Sequence, residues 1–111
     1  MSDKFAVFML IRALPSWLSL RRDERARIAE AAFADALSGG RVQFRHFDAE
    51  AFSGRASDVA MFETEDLTAY YFAVERLRDS PLFAHPYFEV VDIIPSIEDG
   101  YRAFESQLSA T

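Results

Sequence analysis

Residues 4–14, KFAVFMLIRAL, form a nearly unbroken apolar run that ends at Pro15. The run is shorter than the ~20 residues of a membrane-spanning helix, and its Phe, Val and Ile residues favour a β-strand. Alternate residues of a strand point to opposite faces of a sheet, and here both sets are apolar. The segment therefore predicts a central strand that is covered on both faces.

Helical periodicity follows this strand and appears a second time later in the chain. Asp23 and Glu24 suit the positive N-terminal end of the first helix, and we expect Gly39 to end it in a left-handed conformation. Thr64 is the expected N-cap of the second helix, and Pro81 is the residue that stops it.

Three further segments have strand character, namely residues 41–48, 58–63 and 87–94, and Pro95 is expected to end the last one. The element order is β-α-β-β-α-β, which predicts an α+β fold of the ferredoxin-like, split βαβ type with a four-stranded antiparallel sheet. The length fits one domain over residues 1–111, with residues 96–111 as a C-terminal helix or arm.

The charge balance limits the partners of the protein. Acidic residues outnumber basic ones by 18 to 12, and the net charge is -6. Phosphate backbones and anionic membrane surfaces bind clustered Lys and Arg, so we expect neither nucleic acid nor a membrane as a partner. The chain has 0 Cys, which leaves no disulfide framework or thiolate nucleophile. Because its start also lacks a basic leader, we expect a cytoplasmic protein.

The two-sided apolar strands bear on assembly. Two helices cover only one face of a four-stranded sheet, yet the first and last strands carry large apolar residues on both faces. A second copy of the same sheet is the simplest cover for the remaining face. The sequence therefore predicts a homodimer that packs through its sheet face.

Three segments carry a family resemblance. FMLIRALPSWLSLRRDER, FDAEAFSGRASDVAMFETEDLTAYYFAVERLRDS and YFEVVDIIPSIEDGY resemble the darcynin family of small bacterial proteins. The specific features are Pro15-x-Trp17, Asp48-x-Glu50, Ser57-Asp58, Glu63-Thr64 and Tyr87-Phe88-Glu89. The resemblance covers most of the chain and implies a branch of the dimeric α/β-barrel superfamily. It brings no established activity.

The β2–β3 hairpin region is the candidate for chemistry. His46 and Asp48 share one face of the second strand, and Asp58 begins the third. In one interpretation, His46 forms a general acid–base pair with either carboxylate beside a small substrate. In the other, Arg55 pairs with both carboxylates and fixes the register of the hairpin.

Metal and cofactor sites are not expected. His46 and Asp48 have a spacing that suits a metal ion, with Glu63 or another carboxylate as a third ligand, but the chain has only 2 His and 0 Cys. First-row metal sites favour more imidazole or thiolate ligands than this. The sequence has neither a GxGxxG motif nor a P-loop lysine. The haem-using members of the barrel superfamily that the resemblance brings in hold their axial histidine on a helix, and neither predicted helix has one.

The aromatic content indicates a cavity. The chain has 11 Phe, more than a small domain readily buries, so some rings are expected to line a pocket or an interface. The residues expected around a ligand are Trp17, Arg55, Phe62, Glu63, Tyr70 and Tyr87. We expect the protein to bind a small apolar, aromatic or polyketide-like molecule. The alternative is a cofactor-free monooxygenase, isomerase or cyclase that uses His46 and Asp48, and the sequence does not decide whether the protein is an enzyme.

Overall fold

The structure is a computed structural model that describes residues 3–110. Residues 1, 2 and 111 of the expected 1–111 domain lie outside the described residues. The elements are β1 (Phe5–Ala13), α1 (Pro15–Leu18), α2 (Arg22–Ala36), β2 (Gln43–Asp48), β3 (Asp58–Thr64), α3 (Leu67–Asp79), α4 (Pro81–Ala84), β4 (Phe88–Ile97) and α5 (Gly100–Ala110).

The four strands form one antiparallel sheet in the order β2-β3-β1-β4. β1 pairs with β3 on one side and β4 on the other, which confirms the prediction of a central strand. The two long helices connect β1 to β2 and β3 to β4, so the ferredoxin-like plan predicted from the sequence is confirmed.

The core lies between one face of the sheet and helices α2, α3 and α4. The β1 residues Val7 and Met9 are buried there with Phe62 of β3 and Leu77 of α3. Val7 and Met9 are alternate residues of β1, and Phe62 is paired with Val7, so these three side chains point to the same face of the sheet. We refer to this as the helix face of the sheet.

The opposite side, which we call the outer face, also carries apolar side chains. Its centre is formed by Phe8 and Leu10 of β1, which are half-buried, and its edges by Phe47 and Ile94, which are exposed. α5 does not cover this face: its residues Tyr101 and Phe104 are themselves 59% and 63% exposed. The expectation that the chain cannot cover both faces therefore holds for residues 3–110.

The ends of the two long helices differ from the expectation. The left-handed residue after α2 is Gly40, with φ 70°, rather than Gly39. Thr64 lies inside β3 instead of capping α3, and its hydroxyl donates to the carbonyl of Arg41 (2.8 Å). The N-cap is Asp66, whose carboxylate accepts from the amides of Thr68 and Ala69.

The last strand is longer than the sequence indicated. β4 runs through Pro95 to Ile97, with Pro95 opposite Val7 of β1. Because β4 is an edge strand, the missing N–H of a proline can face away from the ladder without loss of a sheet hydrogen bond. The region after Pro95 is therefore strand first and helix second.

Candidate functional site

A cleft of about 470 Å³ opens between the helix face of the sheet and helices α1, α2 and α4. Its walls are mostly apolar and include Met9, Ile11, Phe33, Phe44, Leu82 and Phe88. The volume lies within the roughly 300–1,000 Å³ that small-molecule sites in proteins occupy.

Stacked aromatic rings form one wall of the cleft. Phe33 of α2 and Phe44 of β2 are stacked with their centroids 4.2 Å apart, and Phe62 lies 5.3 Å behind Phe44. Tyr70 of α3 meets the edge of Phe62 at 5.7 Å. Phe62 is only 1% exposed, so it and Tyr70 support the wall from behind rather than lining the cleft.

Trp17 forms part of the opposite wall. It belongs to the short α1 and packs on Phe88 (4.9 Å between centroids) and Tyr87 (5.4 Å). The ring of Tyr87 also stacks on His85 at 4.0 Å. Trp17 therefore lines the cleft, and Tyr87 packs against its ring; that either contacts a ligand stays a prediction.

The polar corner of the cleft is a pair of side chains from β2 and β3. Nε2 of His46 lies 2.7 Å from Oδ2 of Asp58, and both residues line the cleft. The hydroxyl of Ser57 donates to the other oxygen of Asp58 (2.6 Å) and accepts from the amide of Ala13 (2.8 Å). A carboxylate only accepts, so Nε2 of His46 is the donor in this contact; in the neutral imidazole Nδ1 is then an acceptor.

Asp48 and Arg55 do not join this pair closely. Oδ1 of Asp48 lies 3.8 Å from Nε2 of His46, and the Asp48 side chain is 77% exposed. Within residues 3–110, Arg55 forms no ion pair with Asp48 or Asp58, so the Arg55-centred cluster expected from the sequence is not formed. The backbone carbonyl of Arg55 instead accepts from Nε of Arg12 (2.8 Å).

Glu63 is also outside the cleft. Its side chain is on the outer face and pairs with Nζ of Lys4 at 3.2 Å. The hydrogen bond and negative charge of Glu63 raise the pKa of Lys4. This geometry separates Glu63 from His46, so the two do not meet as ligands of one metal ion.

Several residues of the site are not apparent from the sequence alone. Phe33, Leu82 and Phe83 line the cleft, but a helical stripe does not show which rings border a cavity. Ser57 belongs to the Ser57-Asp58 motif, and its position directly before Asp58 is the signal in the sequence that could identify it. Arg25 also lines the cleft, and its guanidinium donates to the carbonyls of Leu18 and Leu20, which joins α1 to α2.

Within the described residues, one group places potential metal-ligand atoms close together. Single ligand atoms of His46, Asp48 and Asp58 lie within 4.8 Å of one another. This set has one imidazole and two carboxylates, and Nε2 of His46 is already engaged by Asp58. First-row metal sites favour more nitrogen or sulfur ligands than this group offers, which agrees with the expectation that no metal binds. That expectation stays a prediction.

The residues do not fit a haem held by a helical histidine. Over residues 3–110 the long helices α2 and α3 carry no histidine, His46 is on β2, and His85 follows α4. His85 is exposed and is not among the residues that line the cleft.

Comparison with known families identifies the chain. A family model described as "Darcynin, domain of unknown function" matches residues 1–111. This chain belongs to the darcynin family. The resemblance seen in the sequence is thereby confirmed, and the family brings no assigned activity with it.

Two darcynins show the range of similarity. The darcynin of Chromobacterium violaceum is 62% identical over 68 residues, which are 61% of this chain and 86% of that protein. A darcynin homologue of Streptomyces avermitilis is 38% identical over 96 residues, which are 85% of this chain and 78% of that protein.

Solved structures with the same fold include chlorite dismutases from Candidatus Nitrospira defluvii. The complex with imidazole superposes with a TM-score of 0.71 at 13% identity, covering 86% of this chain and 40% of that chain. A variant of the same enzyme gives a TM-score of 0.70 at 19% identity, covering 87% and 41%. The darcynin chain thus spans about 40% of the length of these chains. At such identities the similarity establishes the fold alone.

None of the helices between residues 3 and 110 has the length and apolar character needed to cross a membrane.

Proposed function

We propose that this darcynin binds a small, mainly apolar molecule with an aromatic or polyketide-like ring system. The observation that carries the proposal is the cleft of about 470 Å³, with aromatic walls and a polar corner formed by His46 and Asp58. Ligand sites in proteins typically combine such an apolar lining with a few polar groups that orient the ligand.

The arrangement of the walls indicates the chemical class. A planar ring between Phe44 and Trp17 would gain offset or edge-to-face contacts with aromatic side chains. A hydroxyl on that ring would donate to Nδ1 of His46, whose Nε2 is held by Asp58. A hydroxylated aromatic compound therefore satisfies both parts of the cleft.

A thermal-shift screen with hydroxylated aromatic and polyketide compounds tests the proposal. Ala29 of α2 lines the cleft, so Ala29→Phe would fill it and remove the stabilisation by any compound that binds there. Ala34 is on the exposed side of the same helix, and Ala34→Phe is the matched control that should keep the response. Compounds that stabilise both variants equally would place binding elsewhere and contradict the proposal.

A second candidate is an enzyme that uses the polar corner. The 2.7 Å contact between His46 and Asp58, with Asp48 nearby, is the geometry of a general base held in one tautomer. A cofactor-free isomerase, cyclase or monooxygenase would use it to remove a proton from a carbon or hydroxyl of the substrate.

Hydrogen–deuterium exchange distinguishes binding from catalysis. The measurement uses a compound that binds and follows its acidic C–H by NMR in D₂O. If the wild-type protein acts as a base, the hydrogen of that C–H is replaced by deuterium. His46→Gln should keep binding but lose this exchange. Binding with no exchange by the wild-type protein favours the non-catalytic function.

We further propose that the protein is a cytoplasmic homodimer that packs through the outer face. Phe8, Leu10 and Ile94 are already partly buried in one copy, so burial of each in the dimer would contribute less than the roughly 1.5–3 kcal/mol of a side chain that goes from full exposure to full burial. Sedimentation at micromolar concentration tests the dimer, and a monomer there would contradict it. Microscopy of a tagged protein in a bacterial cell tests the location.

A further inference from the structure

We infer that the ligand of the cleft is a hydroxylated aromatic acid, whose carboxylate is held by Arg25 and whose hydroxyl is held by His46. The inference rests on the proposed function and names the class of ligand within it. It comes from Arg25 of α2, which lines the cleft and forms no ion pair within residues 3–110.

The guanidinium of Arg25 is held along one edge only. Its Nε donates to the carbonyl of Leu20 (3.2 Å) and its Nη2 to the carbonyl of Leu18 (3.0 Å). A guanidinium is a planar fork with five N–H donors, so Nη1 and the second N–H of Nη2 remain at the end of the fork. Within the described residues these N–H groups have no acceptor. They form a pair of donors of the kind that binds a carboxylate in a bidentate manner.

The surroundings of Arg25 strengthen its attraction for an anion. The two carbonyls orient the guanidinium, but they do not neutralise its charge. Arg25 is half-buried and shares the cleft with the apolar side chains of Leu82 and Phe83. Opposite charges attract more strongly in partly apolar surroundings than in bulk water. A ligand carboxylate would therefore supply the counter-charge that the chain itself does not.

The acidic residues of the cleft leave this position to a ligand. One oxygen of Asp58 lies 2.7 Å from Nε2 of His46, and the other accepts from the hydroxyl of Ser57 (2.6 Å). Glu30 also lines the cleft, but it is exposed and pairs with no cation within the described residues. Among the residues described around the cleft, Arg25 is the one Lys or Arg.

The topology separates Arg25 from His46 and places them on different walls. β1 and β2 are both antiparallel to β3, so α2, which connects them, runs opposite to β2. Counted from the stacked pair Phe33 and Phe44, Arg25 is eight residues back along α2, a distance of about 12 Å at the helical rise. His46 is two residues further along β2, a distance of about 7 Å. Both residues thus lie beyond the stack in the same direction, one on the helix wall and the other on the sheet wall. A planar ring system with its carboxylate and hydroxyl at opposite ends spans these positions.

Three rigid compounds test the two contacts separately. The first is a hydroxynaphthoate that has its hydroxyl and carboxylate on opposite rings. The second replaces the carboxylate by a neutral amide of the same size, and the third is the naphthoate without the hydroxyl. In calorimetric titrations of the wild-type protein, the hydroxynaphthoate should bind about tenfold more tightly than its amide, because its hydrogen bonds to Arg25 are charge-assisted. It should also bind more tightly than the naphthoate.

Substitutions assign each preference to a side chain. Arg25→Gln keeps a donor for the α1 carbonyls but removes the charge, so it should abolish the preference for the carboxylate over the amide and keep binding of the amide. Arg27→Gln is the matched control, because Arg27 lines a separate groove beside α3, and it should keep the full preference. His46→Phe should abolish the preference for the hydroxynaphthoate over the naphthoate.

Equal affinities of the wild-type protein for the hydroxynaphthoate and its amide would overturn the inference, and this measurement requires no variant to fold. A preference for the carboxylate that survives in Arg25→Gln would also overturn it, because another cation would then hold the carboxylate. Ala29→Phe, which fills the cleft, should abolish binding of all three compounds. Binding that survives in Ala29→Phe would contradict the proposed function itself rather than the class of ligand alone.

Discussion

His46 reaches diagonally across the β2–β3 pair to Asp58, although the residue directly opposite His46 is Ala60. The residue directly opposite Asp58 is Asp48, so the register brings two carboxylates face to face. The side chain of Asp58 is 18% exposed and contacts His46, whereas the side chain of Asp48 is 77% exposed to solvent. Repulsion between like charges opposite each other in a sheet is relieved in this way.

The two carboxylates should therefore differ in their effect on stability. Asp58→Ala removes a carboxylate that accepts from Ser57 and contacts His46, so we expect the free energy of unfolding to fall by about 1–3 kcal/mol. Asp48→Ala removes an exposed group and should change it by less than about 0.5 kcal/mol. Urea unfolding at neutral pH measures both. Equal losses would show that the cluster acts as one unit.

The same substitution at two phenylalanines should change the free energy of unfolding by very different amounts. Phe62 is 1% exposed and contacts Phe44 and Tyr70, so Phe62→Ala should lower the free energy of unfolding by about 3–5 kcal/mol. Phe52 is 93% exposed on the β2–β3 connection, and Phe52→Ala should have an effect below about 0.5 kcal/mol. Thermal unfolding of both variants is the measurement. A large loss from Phe52→Ala would mean that this ring is buried in the assembled protein.

The start of α3 should depend on Asp66. Its carboxylate caps the amides of Thr68 and Ala69 and lies 3.0 Å from the guanidinium of Arg41. Asp66→Ala should lower the free energy of unfolding by about 1–2 kcal/mol, most of it from the lost cap. Glu65→Ala changes the adjacent exposed carboxylate and serves as the control in the same urea experiment. If Glu65→Ala had the larger effect, the cap assignment would be wrong.

Stability should fall in alkaline solution because of Tyr70. Burial raises the pKa of the Tyr70 phenol above its ordinary value of 10.0, although the charge of Arg78 opposes the shift. Below about pH 10 both states keep the proton and the contribution is constant. Above it the unfolded chain loses the proton first, so the free energy of unfolding decreases as the pH rises toward the folded-state pKa.

Substitution at adjacent tyrosines isolates this effect. Tyr70→Phe should flatten the fall in stability above pH 10, whereas Tyr71→Phe should leave it unchanged because Tyr71 is exposed. Urea midpoints at several pH values between 8 and 11 would show the difference. An unchanged alkaline slope in Tyr70→Phe would rule out Tyr70 as its source.

Local pattern was sufficient for the fold and for part of the site. Residues 4–14 are apolar at both parities, which is typical of a strand that is covered on both faces, and β1 is central. Alternation along β2 also placed His46 on the same face as Phe44, and both line the cleft. These features depend on periods of two or 3.6 residues, which a sequence displays directly.

Features that depend on distant segments were not predictable in this way. Arg55 is close in sequence to two carboxylates, but the hydroxyl of Ser53 accepts from the amides of Arg55 and Ala56 and turns the loop, and Arg12 holds the Arg55 carbonyl. Thr64 and Asp66 are both good capping residues. Pairing of β3 with Phe5 extends the strand through Thr64 and leaves the cap to Asp66.

By itself, the sequence determined that this darcynin has a four-stranded sheet with more apolar surface than its helices cover, because strand and helix periods are local properties of the chain. Only the tertiary structure decided which carboxylate His46 meets and which rings enclose the cleft. Those contacts depend on how β2 is aligned with β3 and on how α1, α2 and α4 pack over the sheet, and neither is encoded within any single segment.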